Sequence, residues 1–478
     1  MHESWHTNYN NIKEEIERFE QMENGHKNHF FDVHTIENIF DFFSDKFQFE
    51  KAERVLQIGI HQHPYATSLK IKQAIVLIEK GEDQEAIHLL EELQNLEKSN
   101  PEVYLNLGLV YLRNNRINDA IICFNNALES AFEDRDEILL DIAINLNQEE
   151  AFVHTISFLE QEINNYPDSE SLLFELAYAY DKEYNLDKGL ETYLKVIDIN
   201  PFSENAWYNL GILHIKNSDY EAANNCYDYT LALNPRHGEA LFNKANNMVN
   251  LDRCQEAIDI YIDYISYGYE EILPYHYIAD CYERIGDIEM ALRFYRLATK
   301  TDPAYMPVWL NYLACLINHQ FKKESVKAGK LAIKHHPDFG EFWYLYGRAL
   351  LLNKMYDEAY KAFEEAVEDD PESLRNFYEI YQLILVETPA KQRVRQLQAW
   401  LKKYPDSPAV HFILATYYIK DSRNVKKAAM HFEKAMQNDP GSYDLLIDLM
   451  PELDGPIDRS PALRSILYKY LIHDDGPF

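Results

Sequence analysis

Seven prolines, Pro167, Pro201, Pro235, Pro303, Pro337, Pro371 and Pro405, fall on a 34-residue ladder whose one empty rung is held by Tyr269. Extended upstream, with one extra residue near Arg135, the ladder passes Lys98 to Pro64; downstream it reaches Pro440 after a single 35-residue step. Internal repetition at this period belongs to solenoids, in which each unit is a small supersecondary element that buries its apolar face only by stacking on its neighbours.

With the proline counted as position 32, the units can be laid over one another. Position 4 is large in Tyr104, Trp207, Tyr275, Trp309 and Trp343. Position 8 is small in Gly108, Ala143, Ala177, Gly211, Ala245, Ala279, Gly347 and Ala415, and position 20 is small in Ala86, Ala120, Gly189, Ala223, Ala257, Ala291 and Ala359. Position 24 is mostly aromatic or Leu. Positions 4, 7, 8 and 11 share one face of a helix, and 20, 24 and 27 share one face of a second. The spacing predicts that the small residues at 8 and 20 face each other and let the two helices approach. Turns such as Lys80-Gly81-Glu82-Asp83 and Ile285-Gly286-Asp287 separate the pair. The proline, which lacks an amide hydrogen and clashes with the preceding turn, ends the second helix. The fold class read here is all-α, an α-solenoid of helix-turn-helix units.

The pattern W-x-x-L-G-x-x-Y, then A-x-x-x-F-x-x-A, then P is clearest in Trp207…Leu210-Gly211…Ala223…Tyr227…Pro235 and in Trp343…Tyr346-Gly347…Ala359…Phe363…Ala366…Pro371. It resembles the tetratricopeptide repeat (TPR) family, in its long, all-repeat bacterial type, which implies a right-handed superhelix. Twelve repeats are expected, at 33–66, 67–100, 101–134, 136–169, 170–203, 204–237, 238–271, 272–305, 306–339, 340–373, 374–407 and 408–442. Residues 1–32 are expected to form an N-terminal capping helix, on the amphipathic stretch 9–23. Residues 443–478, where Pro451, Gly455, Pro456 and Pro461 interrupt two short apolar stretches, are expected to cap the other end. Segments of 32 and 36 residues rarely hold a catalytic domain, so no enzyme and no cofactor is expected.

With 46 Lys and Arg against 79 Asp and Glu, the net charge is −33. That sign repels phosphate backbones and anionic lipid, which argues against nucleic acid and membrane as partners; an RNA-binding solenoid of the pentatricopeptide type is the alternative it disfavours. No secretory signal pattern opens the chain, and no apolar run approaches the roughly 18–20 residues of a membrane span. Five scattered cysteines without a Cys-x-x-Cys pair fit a reduced, cytoplasmic setting. Residues 1–200 carry a net −23 and residues 201–478 a net −10, while Lys323, Lys327, Lys330 and Lys334 follow helical spacing. The stripe suggests weak head-to-tail self-association with an acidic first half.

Chemical motifs are few. His2-Glu3-Ser4-Trp5-His6 has the spacing of a zinc hydrolase, but no domain encloses it, and a coincidental terminus is expected rather than a metal site. His61, His63, His335 and His336 read as solvated helix ends. Cys281 and Cys315 share position 10 and read as small buried apolar residues, not reactive thiols.

The family resemblance implies a non-enzymatic scaffold that binds a protein or peptide in the concave groove lined by the first helix of each repeat. By that resemblance, position 5 contributes Phe174, Tyr208, Phe242, His276, Tyr344 and Tyr378, and position 9 contributes Tyr178, Ile212, Asn246, Asp280 and Arg348. On a helical wheel, positions 5, 9 and 12 lie well over a right angle from the 4–7–8–11 stripe. Asn209, Asn243 and Asn311 at position 6, with Asn106, resemble the asparagine ladder of the O-linked N-acetylglucosamine transferase repeats, although Asp141, Glu175 and Tyr277 break it. Position 5 carries no Lys, which disfavours a ligand ending in a free acidic tail. The repeat 374–407 has Tyr381 at position 8, Arg393 at 20 and Trp400 at 27; bulk in place of the small residues should keep its two helices from packing as closely, and a local change of superhelix curvature is predicted near residues 374–407.

Overall fold

The 34-residue period becomes helix pairs because each unit supplies two amphipathic runs separated by a residue that can turn left-handed. The structure is a computed structural model that describes residues 14–23, 29–132, 134–269 and 271–471, with backbone alone at 390 and 391. Every regular element among the described residues is helical. Two compact units meet in sequence at His237 and Gly238, the last and first residues of successive repeats. The first contains a helix over residues 14–23 and then pairs running from Val33–Asp45 with Phe49–Gln62 to Glu204–Lys216 with Tyr220–Leu233. The second runs from Gly238–Asn250 with Cys254–Ser266 to Pro408–Lys420 with Val425–Asn438, and ends in Ser442–Leu449, Asp454–Arg459 and Pro461–Leu471.

Inside a pair, the position-24 ring does the filling. Phe124, Tyr193, Tyr227, Tyr261, Tyr295 and Phe363 are all buried on the second helices. A Cβ added at Gly108, Gly211 or Gly347 would stand 2.5, 2.7 or 2.6 Å from Phe124, Tyr227 or Phe363, so the missing side chain at position 8 is the space the ring occupies. The small residues at 8 and 20 therefore do not face each other as the spacing suggested. Gly189, at position 20, lies against Leu213 of the following repeat, 3.2 Å from an added Cβ. Tyr180 of its own repeat's first helix follows at 3.7 Å, so the gap at Gly189 serves both its own pair and the next repeat.

The joints between repeats are closed by polar contacts. The indole N–H of Trp207, Trp309 and Trp343 donates to the carbonyl of Pro201, Pro303 and Pro337 at 2.9, 2.9 and 2.8 Å. Tyr104 Oη does the same to Lys98, which stands on a proline rung, at 3.0 Å. The large residue at position 4 thus satisfies the carbonyl left open where the previous helix stops. Within most pairs the turn is made at position 15 in left-handed backbone, by Phe47, Asn115, Glu150, Tyr184, Ser218, Asp252, Gln320 and Lys354 with φ between 56° and 60° and by Gly81 and Gly286; in the last repeat it falls one residue later, at Arg423.

The repeat 374–407 breaks this rule. Its position 15, Thr388, is extended, with φ −108° and ψ 128°. Pro389 follows, and the residue before a proline is pushed out of helical backbone by the ring. The backbones of Leu374–Glu387 and Ala390–Lys403 stand further apart than in the other pairs, with Phe377 reaching to 5.1 Å from the Trp400 ring, and the first helix also packs on Pro408–Lys420. Arg393 replaces the missing turn: its guanidinium donates to the carbonyls of Leu385 and Thr388 at 2.8 and 2.9 Å and pairs with Asp421 at 3.2 Å. Tyr381, fully buried at a position that is Gly or Ala in most repeats, also donates to Asp421, at 3.0 Å.

At the chain ends, Ile16 and Phe19 bury against Phe31, Ile36 and Phe43, and Leu463 and Ile466 bury in the cluster that holds Phe432 and Met436. The His2–His6 motif lies outside the described residues. No described helix is long and apolar enough to cross a membrane.

A buried histidine pair sits in the last repeat. His411 Nδ1 and His431 Nδ1 are 2.9 Å apart, His411 Nε2 donates to the Pro405 carbonyl at 3.0 Å, and Tyr418 stacks on His431. Burial lowers both imidazoles, and His411, Lys427 and Lys434 help bring His431 down to about 4. An unfolded histidine takes up its proton near 6.5, so below that pH the unfolded chain binds more protons than the folded one. Stability from this pair is complete above about 6.5 and is lost as pH falls towards about 4. The urea midpoint for helix loss should fall across that window and fall less in His431→Gln; identical pH profiles for the two proteins would contradict it.

Candidate functional site

The candidate partner-binding side chains stand on first helices, and each unit places its own set. In the first unit, Phe174 packs on Tyr193 at 5.7 Å between ring centres and Tyr208 on Tyr227 at 6.1 Å. In the second, Phe242 meets Tyr261 at 5.9 Å, His276 meets Tyr295 at 6.2 Å and Tyr344 meets Phe363 at 5.9 Å. In these five repeats, position 5 therefore contacts position 24 of its own repeat. The wheel angle placed these rings away from the intrarepeat stripe; a six-membered ring at position 24 is wide enough to reach both sides of the first helix. His276 and Tyr344 are buried, with 6 % and 4 % exposure, while Phe174, Tyr208, Phe242 and Tyr378 are half-buried.

Positions 6 and 9 are less consumed by the core. Tyr178, Asn209 and Ile212 are half-buried in the first unit. Tyr178 has Phe152 at 6.1 Å on one side and the Lys182 ammonium 5.0 Å from its ring centre. In the second unit, Asn243 is half-buried, Asn246 accepts from Tyr261 Oη at 2.5 Å and Asp280 pairs with Arg284 at 3.1 Å. Asn311 is exposed, with its amide 2.9 Å from His276 Nε2. Asn106 donates to the Glu102 carbonyl of its own helix at 2.8 Å. Asn106 and Asn311 are thus committed to neighbours within the chain, Asn209 faces the Tyr193 hydroxyl and Asn243 is not free either, and Asn106 is buried. Arg348 donates to Tyr344 Oη at 3.1 Å and faces Glu379 at 3.7 Å.

Charge on these faces is set by burial. Desolvation holds the Glu175 carboxyl above its ordinary value, against a lowering contact from Asn147. Desolvation likewise raises Glu379, which Arg348 and Arg375 partly offset. Such carboxyls gain most from a cation that reaches them. Burial also pushes the thiols of Cys123, Cys226, Cys281 and Cys315 up to about 11 or 12, the opposite of an activated nucleophile, and all five cysteines are buried. On the outer side, Lys323, Lys327, Lys330 and Lys334 are all exposed.

Tetratricopeptide repeat models match residues 101–134, 170–203, 192–223, 208–266, 274–305 and 340–373. The chain belongs to the tetratricopeptide repeat family. A peroxisomal targeting signal receptor of Kluyveromyces lactis is 20% identical over 235 residues, which is 47% of this chain and 40% of the receptor. The human protein O-mannosyl-transferase TMTC3 is 41% identical over 59 residues, 12% of this chain and 6% of that protein. The chain thus spans less than half the length of either relative. Among solved structures, YrrB, described as a TPR protein with an unusual peptide-binding site, aligns at 17% identity and TM-score 0.35 over 40% of this chain and 98% of its own. The Naa15/Naa10 complex with HypK aligns at 13% identity and TM-score 0.35 over 92% and 79%.

The TPR geometry separates structural rings from available ones. Tyr344→Ala removes a buried ring and should lower stability by about 3–5 kcal/mol, whereas Tyr178→Ala should cost about 1 kcal/mol. Urea midpoints compare the two; a Tyr344→Ala protein as stable as the parent would place that ring on the surface.

Proposed function

We propose that the chain is a non-enzymatic scaffold that binds a protein or peptide along the faces formed by positions 5, 6 and 9 of its first helices, with residues 33–442 as a twelve-repeat array between caps at 1–32 and 443–478. The observation that carries this reading is the division of labour on those faces: most position-5 rings are drawn towards the core, while Tyr178, Asn209 and Ile212 stay half-exposed. Half-exposed aromatic and aliphatic groups on a rigid helix bind at low entropic cost. The desolvated Glu175 and the absence of Lys at position 5 favour a partner segment carrying Lys or Arg over one ending in carboxylates. The receptor similarity over 235 residues accords with a peptide-like ligand, and a cytoplasmic setting accords with five free thiols.

Selection from a random peptide display library should enrich sequences whose affinity falls tenfold or more, about 1.4 kcal/mol, in the double variant Tyr178→Ala/Ile212→Ala, with the thermal midpoint little changed. Unchanged affinity would remove these positions from the groove.

The exposed lysine stripe Lys323–Lys334 supports weak self-association with an acidic surface of a second copy. Sedimentation velocity should show a larger average species at low salt that reverts to monomer as salt rises. A monomer at every ionic strength would end that reading.

A further inference from the structure

Three side chains of different chemistry converge where two successive first helices end. Glu283 lies on Ile272–Ile285, Cys315 on Met306–Asn318, and His319 is the residue that caps the latter helix. One ligand atom from each, a carboxylate oxygen, a sulfur and an imidazole nitrogen, lies within 4.8 Å of the other two. No second group of three such residues meets this condition among the described residues. We infer that Glu283, Cys315 and His319 form a binding site for a thiophilic divalent ion such as Zn²⁺, tying the repeat 306–339 to the repeat before it.

The local structure suits the donors to this task. Cys315 and His319 are four residues apart, which puts them on one face of the last helical turn. Glu283 is already oriented: Tyr295 Oη donates to its Oε2 at 3.0 Å, and the carboxylate also hydrogen-bonds the Cys315 thiol, whose proton a metal ion would replace. A hydrogen bond that aims a ligating carboxylate in this way is a recurrent support of metal centres. Tetrahedral Zn²⁺ bonds of about 2.0–2.3 Å require ligand atoms about 3.3–3.6 Å apart. The remaining closure of about 1 Å is within reach of His319, whose side chain is exposed. Cys315 gives up its thiol proton to solvent as the metal–sulfur bond forms, and a water completes the fourth position. The repeat has use for such a tie, because its own helices, Met306–Asn318 and Lys322–His335, pack less extensively than those of the repeat before it.

The test uses the full chain and Co²⁺ at mildly alkaline pH. One equivalent should produce a near-ultraviolet thiolate-to-cobalt charge-transfer band, displaced by Zn²⁺. Cys315→Ala should abolish the band, and the exposed His319→Ala, which cannot disturb folding, should weaken Co²⁺ affinity at least tenfold. Absence of the band, binding without a sulfur signature as His2 and His6 alone would give, or unchanged affinity in His319→Ala would each overturn the assignment.

Discussion

Six repeats share one fit, a ring at position 24 of the second helix seated against a first helix that has no side chain, or only a methyl, at position 8. The fit has consequences in three directions. It fixes the distance between the helices, because a larger residue at 8 would meet the ring well inside contact distance. It draws the position-5 side chain onto the ring's other edge, as in Phe174 with Tyr193 and Tyr344 with Phe363. And it leaves position 20 free to receive the next repeat, as Gly189 receives Leu213. Overpacking such a contact costs about 1–3 kcal/mol, and an aromatic pair contributes about 0.5–1.5 kcal/mol beyond its area, so the same residues govern both spacing and strength.

The backbone around this fit is repetitive for equally local reasons. A left-handed residue at position 15 reverses the chain, and a ring at position 4 satisfies the carbonyl at position 32. Where Pro389 forbids the left-handed turn, the repeat 374–407 does not close, and Arg393 and Asp421 take over the carbonyls and the space. Tyr381 belongs to the same adjustment: with the helices apart, position 8 must be filled instead of emptied. Tyr381, Arg393 and Asp421 are joined in this adjustment by their hydrogen bonds.

Binding surface and core compete for the same helix. Position 5 was legible as an aromatic series, and its pairing with position 24 was legible too, since Phe174, Tyr208, Phe242 and Tyr344 each have a ring 19 residues later. What the wheel could not convey is how far a ring reaches across a helix, and so His276 and Tyr344 looked like surface and lie inside. The asparagines show the reverse difficulty. Their spacing matched a ladder, but Asn106 bonds its own helix and Asn311 a neighbouring histidine, choices that depend on which partner is within about 3 Å.

The period, the helix pairing, the position of the odd repeat and the residues that separate one helix from the next could all be read along the chain, because each depends on neighbours within one 34-residue unit. Which half of an amphipathic helix is spent on the core, and which distant residues converge, could not. Glu283 and His319 are 36 residues apart and share no motif; only the stacking of one repeat on the next sets them and Cys315 within 4.8 Å. Local propensities act through bonds and single turns, whereas such convergence is created by packing between repeats, which no periodicity encodes.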